Sequence, residues 1–406
     1  MKEEKQKKKW IRFRHKWVWA ILAPPFYLYT WLAYGIRVQR FREQGNRPYL
    51  VLMNHQTPFD QFFVAMSIRG PIYFMATEDI FSLGWISQVL RWLVAPIPVR
   101  KQATDFSAVM TSLRVAREGG IIALSPEGNR TYSGKTEYIN PAITRMAKKM
   151  KLPIALFRIE GGYGVEPRWS DRIRRGPIRC YVSRVIEPEE YAAMTDDQLQ
   201  QQIEEGLYVN EASIDHLYRG NRRAEYLERA IYVCPHCGLS TFESNGNQIR
   251  CCKCGMTVNY SEDKTLTSED PGFSFRFVND WYEYQQNYVN SLDLTAMTQE
   301  PLYRDQANMS EVIVYQRKEL LRENAPISLY GDRVVIDRGN DQAMELRFSD
   351  MEAVAVLGRN KLNIYHDKKV YQFKGSKRFN ALKYVNLYYR YKNIERGNPD
   401  AKFLGL

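Results

Sequence analysis

Between residues 49 and 190, short apolar runs alternate with stretches whose apolar residues recur every three or four positions. YLVLM, PIYFMA, APIPV, IIALS and LPIALFRI have the length and near-continuous hydrophobicity of strands covered on both faces. QFFVAMSIRG, GWISQVLRWL, the segment from Asp105 to Glu118 and PAITRMAKKM have helical spacing. The segment near 105 to 118 puts Phe106, Met110, Leu113 and Ala116 on one side and stops at Gly119-Gly120. Strand and helix therefore alternate. The pattern predicts an α/β domain over 49 to 190, a mostly parallel sheet flanked by helices, with IRCYVSRVI as its last strand. Residues 191 to 231, rich in Glu, Gln and Arg, predict a helical connector. After a cysteine cluster within 232 to 260 and a linker and helix over 261 to 310, the period changes to two. SLYGDRVVID, MELRFS, AVAVLG, KLNIYHD and KKVYQFKG predict a β-rich domain over 311 to 398, ended by the helix RFNALKYVNLYYRYKN.

Residues 1 to 48 form a different region. MKEEKQKKKWIRFRHK is strongly basic with aromatics interleaved, and WVWAILAPPFYLYTWLAYGI follows it. That apolar stretch is about as long as a bilayer-spanning helix, but Pro24-Pro25 removes backbone donors at its middle. Two shorter membrane-associated helices joined by a bend are expected. Trp10, Trp17, Trp19, Tyr27, Tyr29 and Trp31 suit the headgroup level, and the basic flank marks the cytoplasmic side. The competing reading is a buried N-terminal hairpin of a soluble protein. No small-residue cleavage site follows, which argues against a signal peptide.

Composition narrows the classes. A chain of 406 residues that is 44% hydrophobic folds with a sizeable core, and intrinsic disorder is excluded. The net charge of +12 asks for an anionic partner. Because the basic head adjoins an apolar segment, and acidic stretches flank the cysteines, membrane lipid is expected and nucleic acid is not. Five of the six cysteines fall between Cys234 and Cys254, a grouping that fits a metal site in a reducing compartment better than a disulfide framework. CPHCG and CCKCG form two C-x-x-C-G knuckles. Cys234, Cys237, Cys251 and Cys254 are the expected ligands of a structural zinc ion, with Cys252 as a competitor of Cys251 and His236 as a surface residue.

The chemistry sits in two loops. In NHQTPFD, Thr57 and Pro58 have the form of a helix N-cap and first turn, which leaves His55 in the loop after YLVLM and Asp60 one turn away. A carboxylate on one ring nitrogen orients the imidazole and leaves the other nitrogen to take a proton, the arrangement a general base needs. An N-terminal aspartate beside a satisfied histidine would look the same. The second loop, SPEGNRTYSG, carries Arg130 on a Gly-containing turn after a strand. If both strands are parallel, it leaves the same sheet edge as His55, where open α/β sheets place their sites. An arginine there suits bidentate capture of phosphate, or a plain surface ion pair.

Asn54-His55 with Asp60, and Pro126-Glu127-Gly128-Asn129-Arg130, resemble the signature motifs of the glycerolipid acyltransferases, typified by 1-acyl-glycerol-3-phosphate acyltransferases. Between them, APIPVRK with Arg100 is similar to that family's second motif, and KLPIALFRI with Pro153 to its fourth. The motifs occur in order across roughly residues 15 to 190. The resemblance implies an acyl thioester donor, acyl-CoA or acyl carrier protein, and a lysophosphatidate-like acceptor at the cytoplasmic face of a bacterial cell membrane. It makes His55 the base and Asp60 its orienter. Arg130, helped by Arg100 and the backbone at Gly128, would hold the acceptor phosphate, with Glu127 shaping the turn. The family's usual Glu-Gly-Thr-Arg is here Glu-Gly-Asn-Arg. A lysine usual after the next strand is replaced near Thr77, and the Lys-Gly after the phosphate turn gives way to Asn140-Pro141. These departures bear on the acceptor, which leaves another lysophospholipid, a glycolipid, or a lipid sensor without turnover as alternatives. The segment from 311 is similar in strand order to pleckstrin-homology or GRAM-like domains. Lys361, Lys368, Lys369 and Lys374 are its candidate headgroup contacts, or else solvated lysines of a scaffold module.

Overall fold

The computed structural model describes residues 9–77, 80–81, 85–99, 106–313, 318–337, 339 and 343–405. The chain divides into two compact units, one made of Met1–Asn129, Ile139–Glu160 and Ile178–Val209, the other of Arg130–Tyr138, Gly161–Pro177 and Asn210–Leu406.

The first unit is the α/β layer. In chain order it comprises α1 (Phe13–Tyr34), β1 (Ile36–Val38), β2 (Leu50–Met53), α2 (Asp60–Ser67), β3 (Ile72–Thr77), α3 (Trp85–Leu93), β4 (Ile97–Val99) and α4 (Phe106–Arg117). It continues with β5 (Ile121–Leu124), α5 (Ala142–Met150), β6 (Ile154–Glu160), β7 (Ile178–Ile186), α6 (Pro188–Ala192) and α7 (Asp196–Leu207). The seven-stranded sheet runs β1-β7-β6-β2-β5-β3-β4. β6, β2, β5, β3 and β4 are parallel, with Leu52 opposite both Leu124 and Leu156, and only β7 pairs antiparallel to β6. Central β2 is buried along its whole length, because helices cover both faces. Leu50, Leu52, Ile122, Ile154, Ile143 and Ile203 meet in its core.

At the N-terminus one helix stands where two were expected. α1 is a single helix that contains Pro24 and Pro25. The reason is docking on both sides of the prolines. Before them, Trp19 Nε1 donates to the Ala65 carbonyl at 3.2 Å. After them, Phe26 stacks on Phe62 of α2 with ring centroids 4.0 Å apart, and Tyr34 packs edge-on to Phe59. These contacts hold the helix continuous although two carbonyls lose their donors. Among the described residues, no helix is long and apolar enough to cross a membrane.

In the second unit the cysteine cluster and the β-rich region share one core. β8 (Val233–Cys234) pairs with β9 (Gly238–Leu239), and β10 (Phe242–Asn245), β11 (Gln248–Cys251), β12 (Thr257–Tyr260) and β13 (Leu266–Thr267) form an antiparallel sheet. Helix α8 (Val278–Ser291) locks onto the first knuckle. Its fully buried Gln285 accepts from the amides of Tyr232 and Val233 and donates to the Ala230 carbonyl, while Trp281 Nε1 donates to the Val233 carbonyl. The β-rich region is a half-barrel of β14 (Tyr303–Glu311), β15 (Glu319–Leu329), β16 (Arg333–Asp337), β17 (Ala343–Arg347), β18 (Met351–Leu357), β19 (Lys361–His366) and β20 (Lys369–Gly375), in the order β17-β16-β15-β14-β20-β19-β18. Helix α9 (Leu382–Glu395) closes it, burying Leu382, Val385 and Leu387.

Three boundaries differ from the sequence reading. The half-barrel begins at Tyr303, earlier than expected, because β14 carries polar residues (YRDQANMSE) on a face that packs at register positions rather than by composition. The helical connector ends at Leu207; beyond it the chain is irregular apart from short turns at Glu211–Ser213 and Leu227–Arg229. Residues 130–138 and 161–177, expected within the α/β domain, pack in the second unit, where Tyr132, Tyr163 and Trp169 join the core of the ribbon and half-barrel.

Candidate active site

β2 and β5 are adjacent and parallel, so the chain leaves both at the same edge of the sheet. The loop after β2 carries His55. Its Nδ1 lies 2.7 Å from Asp60 Oδ2, and the imidazole side chain is 26% exposed while the carboxylate is fully buried. Buried carboxylates require donors. Asp60 accepts from the Gln56 amide at 2.7 Å, the Thr57 amide at 3.0 Å and the Thr57 hydroxyl at 2.7 Å. The tight loop therefore wraps its backbone around the aspartate, and the carboxylate holds the ring with Nε2 turned away from it. Thr57 is not the expected N-cap. Helix α2 starts at Asp60, and the Thr57 hydroxyl instead accepts from the Phe59 amide while donating to Asp60. A threonine that has a buried carboxylate within reach uses its donor there, since an ionised acceptor makes the stronger bond.

Two further ties fix the loop to the sheet. Asn54, 1% exposed, donates from Nδ2 to the Ile159 carbonyl at 2.9 Å and accepts from the Ile159 amide at 2.7 Å, mimicking one rung of a strand ladder with β6. Glu127, in the loop after β5, accepts from the His55 amide at 2.8 Å. Glu127 was expected to shape its own turn; its carboxylate also clamps the histidine backbone. The turn itself is made by Gly128, whose amide donates to the Ser125 carbonyl at 3.1 Å with φ at +68°. No atom lies within 4 Å of where a Cβ would stand, so glycine is there for backbone conformation rather than for space.

Sequence reasoning named His55, Asp60, Glu127 and Gly128, and the first unit brings all of them to one edge. It did not assign a role to Asn54, although a polar residue directly after four buried apolar ones signalled a side chain that must find partners inside. Arg130 opens the stretch that packs in the second unit and is 9% exposed. Arg100 lies outside the described residues.

The cysteines form a second candidate centre. Sγ atoms of Cys234, Cys237, Cys251 and Cys254 all lie within 4.8 Å of one another, and those of Cys234 and Cys254 are 3.6 Å apart. Four thiolates about 2.3 Å from a tetrahedral ion would stand about 3.8 Å from each other, so the set is dimensioned to hold a metal ion. Cys251, rather than Cys252, belongs to the group. Burial raises the Cys251 thiol, but the amides of Cys254 and Lys253 and the Ser240 hydroxyl outweigh it and bring it down to about 7. Gly238 and Gly255 take left-handed conformations after each knuckle. All four positions of such a site are filled by sulfur, a closed arrangement suited to structure.

The first unit is thus an open, largely parallel sheet that carries an oriented histidine and its buried aspartate at the carboxyl edge. Residues 35–159 match the family model described as Acyltransferase. No curated protein matches the chain. Among solved structures, the chain is similar to the 1-acyl-sn-glycerophosphate (LPA) acyltransferase PlsC from Thermotoga maritima, at 21% identity and a TM-score of 0.41, over 47% of this chain and 77% of that one. His55, Asp60, Glu127, Gly128 and Arg130 fall inside the matched stretch; the cysteine cluster and the half-barrel fall outside it.

Proposed function

We propose that the protein moves a fatty acyl group from a thioester, acyl-CoA or acyl carrier protein, to the free hydroxyl of a lysophosphatidate-like acceptor. The observation that carries this reading is the 2.7 Å contact between His55 Nδ1 and a fully buried Asp60 inside an acyltransferase-family stretch. Nε2 of His55 takes the proton of the acceptor hydroxyl as its oxygen attacks the thioester carbonyl. The tetrahedral intermediate collapses, the carbon–sulfur bond breaks, and the departing thiolate receives the proton back from Nε2. No covalent acyl-enzyme is needed. Asp60 holds the ring tautomer and stabilises the imidazolium between the two transfers. Arg130, with Arg100, holds the acceptor phosphate by charge-assisted hydrogen bonds.

The acceptor and the acyl chain come from a membrane surface. Phe13, Trp17, Ile21, Leu28 and Leu32 of α1 and Trp85, Val89 and Trp92 of α3 are exposed apolar side chains, and Arg14 stands 5.0 Å over the Trp92 ring. Aromatics next to cations suit the interface of an anionic leaflet, with the helices lying in it. The cytoplasmic face is the side the basic head favours. The four cysteines hold a structural zinc ion, and the half-barrel with its closing helix serves as a pleckstrin-homology-like module.

The test is acyl transfer from labelled acyl-CoA and acyl carrier protein to lysophosphatidate, other lysophospholipids and a glycolipid, with wild type beside His55→Ala and Arg130→Ala. Activity lost in the histidine variant, with the arginine variant chiefly raising the acceptor KM, supports both roles. A folded wild type that acylates none of these acceptors ends the reading. Flotation with anionic vesicles, reduced in Trp17→Glu with Leu28→Glu, tests the surface.

A further inference from the structure

The signature stretch that carries Arg130 packs in the second unit and has a network of its own, in which Glu137 accepts from the Thr131 and Ser133 hydroxyls and the Gly134 amide donates to Thr131 Oγ1. Within the second unit, residues 130–138 are held by a strap, residues 161–177, and by the turn between β18 and β19 of the half-barrel. Arg168 is the hub. It is 2% exposed, and its guanidinium donates to three carbonyls: Nη1 to Arg130 at 2.8 Å, Nε to Gly358 at 3.0 Å and Nη2 to Val356 at 3.2 Å. Its flat face lies 4.3 Å over the ring of Tyr132. Tyr132 in turn donates from its hydroxyl to the Arg359 carbonyl at 2.9 Å, and Arg359 pairs with Glu166 and Asp171 of the strap. On the far side of the stretch, the Gly134 carbonyl accepts from the Glu211 amide at 2.9 Å. The backbone on either side of Arg130's neighbour Tyr132 is therefore pinned at both ends.

We infer that Arg168 is the positioning residue for Arg130, so that the turn at residues 356–359 of the half-barrel sets the acceptor-phosphate contact. The inference rests on the proposed role of Arg130. The physical reason lies in the fork of the guanidinium. Three donors in one rigid plane reach carbonyls of two separate chain segments at once, which a lysine, a single point charge on a flexible stem, does not do. Fully desolvated carbonyls without a donor force the backbone to move until it finds one. The Arg130 carbonyl belongs to the same residue as the side chain that must meet a phosphate with hydrogen-bond accuracy, and shifts of about 1 Å in such a group cost up to about a hundredfold in rate. Arg168 and Arg359 lie beyond the acyltransferase-family stretch at 35–159. The segment that family motif supplies is thus completed here by residues that the motif does not contain.

The experiment compares full-length wild type with Arg168→Lys, Tyr132→Phe and Arg359→Ala in two measurements. The first is steady-state acyl transfer to lysophosphatidate and to monoacylglycerol, an acceptor without phosphate. The second is amide hydrogen exchange over residues 131–137. The expected result for Arg168→Lys is a rise of about tenfold in the lysophosphatidate KM, with kcat, the donor KM and the monoacylglycerol KM changed less than about twofold, and faster exchange confined to 131–137. Tyr132→Phe and Arg359→Ala, which remove one tie each, show the same split at about threefold; they carry the test if Arg168→Lys does not fold. An unchanged lysophosphatidate KM, or an equal loss with both acceptors, overturns the inference, because the second pattern is what general loosening gives. Unchanged exchange overturns it as well. If wild type acylates no phosphate-bearing acceptor, the proposed function falls, and exchange then decides separately whether Arg168 fastens the stretch.

Discussion

His55 and Arg130 sit in two loops that differ in how far along the chain their fasteners lie. The histidine loop is nearly self-contained: the carboxylate that orients His55 is five residues away, its donors are the amides and hydroxyl in between, and the two outside ties reach β6 and the loop after β5 of the same sheet. The arginine stretch also has a local scaffold, in which Glu137 accepts from the Thr131 and Ser133 hydroxyls and these hydroxyls accept from the Gly134 and Lys135 amides, but it is not self-contained. Further fasteners are contributed by residues far along the chain, from Arg168, Glu211 and Arg359. A proton-transfer group needs its partner within bonding distance at all times, which a short loop around a buried carboxylate provides. A phosphate contact is made by a long side chain, and its backbone can be set from a distance. The comparison teaches that the His55 loop is written almost wholly in local sequence, while the Arg130 stretch needs distant residues as well.

Four measurements break or sharpen that comparison. The largest effect is expected from His55→Ala, with kcat lower by about 10²- to 10⁴-fold and Tm nearly unchanged, since the ring is partly exposed; Asp60→Asn should lose activity too, and retention of wild-type kcat by either would remove the local half of the contrast. Next comes metal. Elemental analysis should find one zinc per chain, and chelation should destabilise the second unit by several kcal/mol, of the order that closed thiolate sites supply to small modules. Cys254→Ser should abolish metal content and Cys252→Ser should not; the reverse would reassign the ligand set. Asn54→Ala should cost about 1–3 kcal/mol, because it leaves the amide and carbonyl of Ile159 buried without partners. A chemical denaturation curve reads it, and a cost near zero would mean that the loop is held by Asp60 alone.

The smallest effect concerns the strap. Burial raises the Asp171 carboxyl, but the Arg229 guanidinium, with Arg359 behind it, outweighs burial and holds it below the usual 3.8. A carboxyl lowered in the folded state stabilises the fold above its ordinary value and stops doing so as pH falls through the folded one. Asp171→Asn should therefore lower Tm at pH 7 by an amount corresponding to about 1 kcal/mol or less, and the gap to wild type should close as pH drops below about 4. A gap that is the same at pH 7 and pH 3 would assign the loss to packing instead.

How far the chain could be read in advance follows from the same distinction. The buried strands and the helices between them announced themselves because each carries its own period, and the cysteine knuckles because four thiols at fixed spacing have few other uses. The His55–Asp60 pair was legible for the reason given above: all its partners but two lie within one turn of chain. The continuous run of α1 through Pro24-Pro25 was not, since the local cost of proline is visible in sequence while the docking of Trp19 and Phe26 on α2 is not. Thr57 looked like an N-cap because the amides it could cap were in view and the buried carboxylate that captures its hydroxyl was not. β14 hid in a polar composition.

What the amino-acid order determined by itself is therefore the alternation of strand and helix, the His55–Asp60 loop and the four-cysteine set, all governed by short-range geometry. Only the tertiary structure decided that residues 130–138 belong with the ribbon and half-barrel, and that Arg168 reaches the Arg130 carbonyl across 38 positions of chain. The physical reason is that a fully buried guanidinium is tolerable only where several carbonyls from separate segments converge on it, and such convergence exists only after the chain has folded.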